Sequence, residues 1–134
     1  MSCADGSTTL APKNVWTKKD TANWLAHAFT EVESAADIGK VRGSLEVRSS
    51  TGAIKTRIAY RTTNNGSTFD AWTPLYASGT NEQLNDGTMF GPSFVDLSNV
   101  VAGKQGIQWG VEAINASGVA TEICAATIKL DKKA

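Results

Sequence analysis

The feature that most limits what this chain can fold into is a two-residue alternation that runs through residues 41–61. Val41, Gly43, Leu45 and Val47 fall on one side of an extended backbone, and Arg42, Ser44, Glu46 and Arg48 fall on the other, because successive strand side chains leave opposite faces. After Ser49-Ser50-Thr51-Gly52 the pattern resumes, with Ile54, Thr56, Ile58 and Tyr60 inward and Lys55, Arg57, Ala59 and Arg61 outward. A ribbon with one apolar and one wet face belongs to an antiparallel sheet that packs on a second layer. The two runs are expected to pair as a hairpin, with the Arg and Lys faces in solvent.

A second turn follows in the stretch Tyr60 to Leu75, YRTTNNGSTFDAWTPL. Asn64 and Gly66 tolerate the left-handed backbone of a tight turn, while Thr68 and Phe69 lock that turn to the sheet. Further strands are expected at 69–77, 89–97, 106–115 and 119–130, separated by Gly- and Asn-bearing turns. Such short, even spacing predicts an all-β antiparallel sandwich. Residues 24–36 are ambiguous. Trp24, Leu25, Ala28, Phe29 and Val32 recur at helical spacing after a capping Asp20, yet Phe29 to Glu33 alternates as a strand, and strand is the preferred reading.

The 134 residues are one domain's worth of chain, enough to bury a single core. Residues 1–22 mix Ser, Thr, Gly, Pro and Lys, with the apolar pair Val15 and Trp16 as the candidate anchor, so they read as an arm that docks on its own domain or on a neighbour; residues 23–134 are expected to form the sandwich. Thirteen basic and thirteen acidic residues cancel, which leaves no field to draw in nucleic acid or an anionic membrane. Cys3 and Cys124 are expected to be unpaired thiols, Cys124 as a small buried hydrophobe. The start of the sequence has no apolar leader and no run approaches a membrane span. Cytoplasmic synthesis is therefore expected, compatible with later display on a particle.

The C-terminal third resembles the end of a fibronectin type III domain. Leu97, Val100 and Gly103 lead into a strand with Trp109, Val111, Ala113 and Asn115, then Gly118, then a strand with Ile123, Ala125 and Ile128. Trp109 stands where that family carries a tyrosine that bonds back to the preceding corner, and it can donate only one N–H. Thr62 to Phe69 is similar to an Asp-box, S-x-D-x-G-x-T-W, with Asn64 in the acidic position; such boxes shape hairpins and do not catalyse. Modules of this kind are common in bacteriophage virion proteins and in bacterial surface or polysaccharide-degrading proteins. The expected fold is an antiparallel sandwich of seven or eight strands, fibronectin type III-like or jelly-roll-like, with an extended N-terminal arm.

Chemistry is sparse. His27 is the single histidine, so no site built around several imidazoles can form, and a lone histidine in an apolar segment reads as structural or exposed. Asp70, Glu82, Asp86 and Asp96 read as solvated loop carboxylates, and no spacing picks out a pair. Asn81, Glu82, Asn85 and Asp86 lack the density of a calcium loop and read as an Asn-Asp-Gly turn. The sequons at Asn65 and Asn115 coincide with turns and, with no leader, predict no glycan. Neither catalytic nor metal residues are assigned, and no cofactor is implied.

Two functions are expected from these residues. The first is a structural subunit of a larger assembly, of virion type, whose arm (Val15, Trp16) and sandwich surface contact other protein subunits, most simply copies of itself. The second is a carbohydrate-binding module in which Trp72 and Tyr76, four apart on one strand, share an exposed face, with Trp24 as a further candidate for the platform; filling the core is the preferred role for these rings.

Overall fold

The computed structural model describes residues 8–9, 16–18, 24–49, 55–76, 83–84, 87–114 and 121–133. Among them are twelve strand segments, all antiparallel, in two sheets. The long strands are β5 (Lys40–Ser49), β6 (Lys55–Thr63), β11 (Gly106–Ile114) and β12 (Thr121–Lys133). The short ones are β1 (Thr8–Thr9), β2 (Trp16–Lys18), β3 (Leu25–Ala28), β4 (Glu33–Ser34), β7 (Thr73–Pro74), β8 (Gln83–Leu84), β9 (Gly87–Met89) and β10 (Val95–Asp96).

One sheet centres on β12 and β5, with β1 and β2 along the free side of β12 and β9 and β10 along the free side of β5. The other centres on β11 and β6, with β3 and β4 beyond β11 and β7 and β8 beyond β6. Each short pair lies along one long strand and forms a single interrupted edge. With the pairs merged, eight strand positions in chain order stand as 1-8-3-6 in one sheet and 2-7-4-5 in the other. That is the double Greek key of a jelly roll. All four edges are in short pieces, which blunts the unpaired backbone rows that would otherwise template aggregation.

The expected hairpin between residues 41–48 and 54–61 does not form. β5 pairs with β12, Leu45 opposite Ile128, and β6 pairs with β11, Tyr60 opposite Trp109. The alternation reports which side chains face the core and is silent on which sheet a strand joins. Here both apolar faces point at the same core from opposite sides, so Val41 and Leu45 meet Ile58 and Tyr60 across it. The hairpin from Tyr60 onward does form, through Tyr60↔Thr73 and Ala59↔Pro74. Residues 24–36 supply β3 and β4 and then one 3-10 turn, Ala35–Asp37. The strand expected at 89–97 is broken by residues 90–94, and Ser98–Val101 form a single helical turn, α1.

The core is Phe29, Ala35, Ile38, Val41, Leu45, Ile58, Tyr60, Leu75, Leu97, Val101, Ile107, Trp109, Val111, Ala113, Ile128 and Leu130. Trp109 sits against Tyr60 edge-on, ring centroids 6.2 Å apart, and burial raises the Tyr60 pKa. Gly43 is required by closeness: a Cβ there would lie 2.7 Å from Cδ1 of Ile58 on the facing sheet. The stretch expected to be an arm contributes β1 and β2, with Thr8 opposite Leu130 and Trp16 opposite Ile123. No helix among the described residues is long and apolar enough to cross a membrane.

Candidate functional site

The turn after β6 is built from side chains that replace backbone partners. The Asn65 Oδ1 accepts from the backbone N–H groups of Ser67 and Thr68, both at 2.8 Å. Thr63 Oγ1 accepts from Gly66 N–H at 2.9 Å and donates to the Thr68 carbonyl at 2.6 Å. Gly66 has φ +79°, the left-handed backbone that glycine adopts without strain. The oxygen that closes the turn thus belongs to Asn65, one residue after the expected Asn64, and Thr68 takes part through its backbone. Asp70 then accepts from the Thr62 hydroxyl at 2.7 Å and from Lys104 Nζ at 2.9 Å, and these two bonds hold its pKa below the ordinary carboxylate value.

Beside this turn, the outward side chains of β6 and β11 form cross-strand pairs, the unit of sheet stabilisation. Arg57 stands opposite Glu112, and Arg61 stands opposite Gln108. The Arg57 guanidinium donates to Glu112 at 2.9 Å and lies 3.8 Å from the Trp24 ring centroid. The Arg61 guanidinium lies 3.9 Å from the Phe69 ring centroid and 4.7 Å from that of Trp72, while its Nε donates to Gln108 Oε1 at 2.8 Å. Burial pulls the Arg61 pKa below its usual value, though an arginine remains charged. Trp72 is half-buried on the outer face of the sheet and is not part of the core. Only the register of β6 with β11 could have announced this cluster, and the sequence does not display it.

Tyr76 serves a different neighbourhood. Its hydroxyl accepts from Gly43 N–H at 3.2 Å and donates to the Ser93 carbonyl at 3.0 Å, and its ring packs on the core. Burial raises its pKa, with the Gly43 N–H and Arg42 opposing. The structure therefore gives Trp72 and Tyr76 separate partners. The Tyr76 bonds pin residues 90–94 over β5. In that loop Phe90 is 74% exposed, and Phe94 lies 5.0 Å from the Arg42 guanidinium, which also reaches Asp131 at 3.4 Å.

At the opposite edge, Glu33 joins the two sheets. Its Oε1 accepts from the buried Trp109 indole N–H at 2.5 Å, and its Oε2 meets Lys132 Nζ at 2.6 Å. The one N–H that Trp109 can donate is thus committed to a carboxylate. Asp96 accepts from the backbone and hydroxyl of Ser98 at 2.9 and 2.6 Å, which lowers its pKa. His27 lies in β3 and Cys124 in β12. Val15, Cys3, Asn81, Glu82, Asn85, Asp86 and Asn115 lie outside the described residues. Among the described residues, no group of three or more His, Cys, Asp or Glu could hold a metal.

The strand order defines a class, the eight-position jelly roll. In fold, the chain is similar to chains in structures of infectious bursal disease virus. It matches a chain in the structure of the Gx strain with a TM-score of 0.55 and 9% identity, covering 96% of this chain and 33% of that one. A second match, from a crystal structure of a particle of the same virus, has a TM-score of 0.60 and 11% identity over 93% of this chain and 30% of that one. A third, the VP2 subviral particle, has a TM-score of 0.56 and 9% identity over 96% and 33%. The likeness is one of fold, and the chain spans about a third of the length of these neighbours. No family model and no curated protein matches the sequence.

Proposed function

We propose that this chain is a non-enzymatic structural subunit of a virion, a capsid decoration or tail-associated protein that reaches the particle after synthesis in the cytoplasm. The observation that supports this reading is the jelly-roll strand order, taken with a likeness of fold to chains from virus particles. Jelly rolls also serve as lectins and cupins, so the fold must be read with its surface. That surface offers Phe90, 74% exposed on a loop pinned by the Tyr76 hydroxyl, a rigid aromatic of the kind that anchors interfaces.

The partners in this reading are other protein subunits, first of all further copies, with contacts made by the sandwich of residues 23–134 and by the segment 1–22 through Val15 and Trp16. Neither cofactor, nucleic acid nor membrane has a part in it. Sedimentation velocity on the chain and on Phe90→Ser tests it. Self-association is expected, weakened about tenfold or more by Phe90→Ser. A single 14.1 kDa species at every concentration, alone and with candidate particle partners, would rule the reading out.

A further inference from the structure

The two outward arginines of β6 occupy equivalent places with one difference. Both lie against aromatic rings, and both face a β11 residue across the ladder. For Arg57 that residue is Glu112, a carboxylate that balances the charge at 2.9 Å. For Arg61 it is Gln108, whose amide oxygen accepts a hydrogen bond from the Nε–H at 2.8 Å and balances no charge. The two terminal nitrogens of Arg61 have no partner among the described residues. The nearby carboxylate of Asp70 is already held by Thr62 and Lys104.

A guanidinium fork holds a carboxylate through two parallel hydrogen bonds. The Phe69 and Trp72 rings fix the Arg61 plane, and Gln108 is fixed in turn because its Nε2 donates to the Thr30 carbonyl at 2.8 Å. A donor ordered in advance loses little further freedom when it binds. We propose that the Phe69–Arg61–Trp72 clamp is a binding site for a carboxylate supplied from outside the chain, carried by an acidic sugar.

The surroundings favour a sugar over a protein surface. The adjoining turn presents exposed Asn64, Asn65, Ser67 and Thr68, whose amides and hydroxyls suit sugar hydroxyls. The large exposed apolar side chains, Phe90, Phe94, Val32 and Val100, are not part of the clamp, whereas a protein interface is built round an apolar centre. Binding here does not require the chain to assemble.

The test is a titration with glucuronate, followed through the arginine Nε–H and tryptophan indole N–H resonances, with glucose and acetate as comparison ligands. Glucuronate is expected to shift the Arg61 and Trp72 signals saturably, with acetate at least about tenfold weaker and glucose silent. Gln108→Glu, which gives Arg61 an internal carboxylate as Glu112 does for Arg57 but gives up the hydrogen bond to the Thr30 carbonyl, is expected to weaken glucuronate about tenfold or more, with its other amide shifts confined to the neighbourhood of Thr30 and Gln108. Arg61→Gln is expected to abolish the shifts. Absence of a saturable shift, or wild-type affinity in Gln108→Glu, would overturn the site. Equal affinity for acetate, or loss of self-association in Arg61→Gln, would overturn the sugar assignment in favour of a bare or subunit-borne carboxylate.

Discussion

Replacing Gly43 with Ala places a methyl group between the two sheets. On the native backbone its Cβ lies 2.7 Å from Cδ1 of Ile58 and 3.1 Å from Cδ2 of Leu75, well inside the roughly 3.5–4 Å of a comfortable carbon contact. Overpacking costs about 1–3 kcal/mol. The lower half of that range applies, because the obstructing atoms are ends of side chains. Reduced freedom of the unfolded chain offsets about 0.4–1 kcal/mol, so a net loss of about 1 kcal/mol is expected. Ile58→Val removes the obstructing carbon and alone costs about 0.5–1.5 kcal/mol. In the double variant the new methyl takes the vacated space, so the pair is expected to be more stable than the summed losses by about 1 kcal/mol, above the roughly 0.3–0.5 kcal/mol scatter of independent sites. Urea unfolding followed by tryptophan fluorescence measures all three variants, provided that the m-value is unchanged. Additive losses would mean that Gly43 and Ile58 do not meet, and would refute the placement of β5 and β6 on opposite sides of one core.

Asn65→Ala removes the acceptor of two turn N–H groups and is expected to cost about 1 kcal/mol, more than Asn64→Ala in the same urea assay. The folded-state pKa values of Asp70 and Asp96 lie below the ordinary 3.8. Their contribution is therefore present above that value and lost as pH falls through the lower folded values; Asp70→Asn should flatten the acid limb of a stability-against-pH curve below 3.8. Trp109→Phe trims a fully buried ring and takes the indole N–H from Glu33. Calorimetry should register a loss of about 2 kcal/mol or more, and a loss below about 0.5 kcal/mol would count against that anchor.

The parts of this fold that follow from local periodicity were legible in the sequence. Val41, Gly43, Leu45, Thr56, Ile58 and Tyr60 are inward and buried as their alternation requires, and Gly66 takes the left-handed backbone expected of it. What depends on long-range register was not legible. β5 and β6 follow one another closely yet find their partners in β12 and β11 near the other end of the chain, and an alternating strand accepts any neighbour that buries the same face. The same holds for the site. Phe69 and Trp72 were visible as aromatics beside a turn, but their common neighbour Arg61, and the contrast between Gln108 and Glu112, exist only once β6 is aligned with β11. Asn64 and Asn65 are chemically alike, and only the backbone geometry of the turn decides which oxygen closes it.

The strand order carries the fold, on which the proposed function rests, and backbone nuclear Overhauser contacts on labelled protein test it most directly. The account predicts cross-strand contacts that join Leu45 to Ile128, Gly43 to Leu130, Ile58 to Val111 and Tyr60 to Trp109. A ladder of contacts that pairs residues 40–49 directly with residues 55–63 would contradict it.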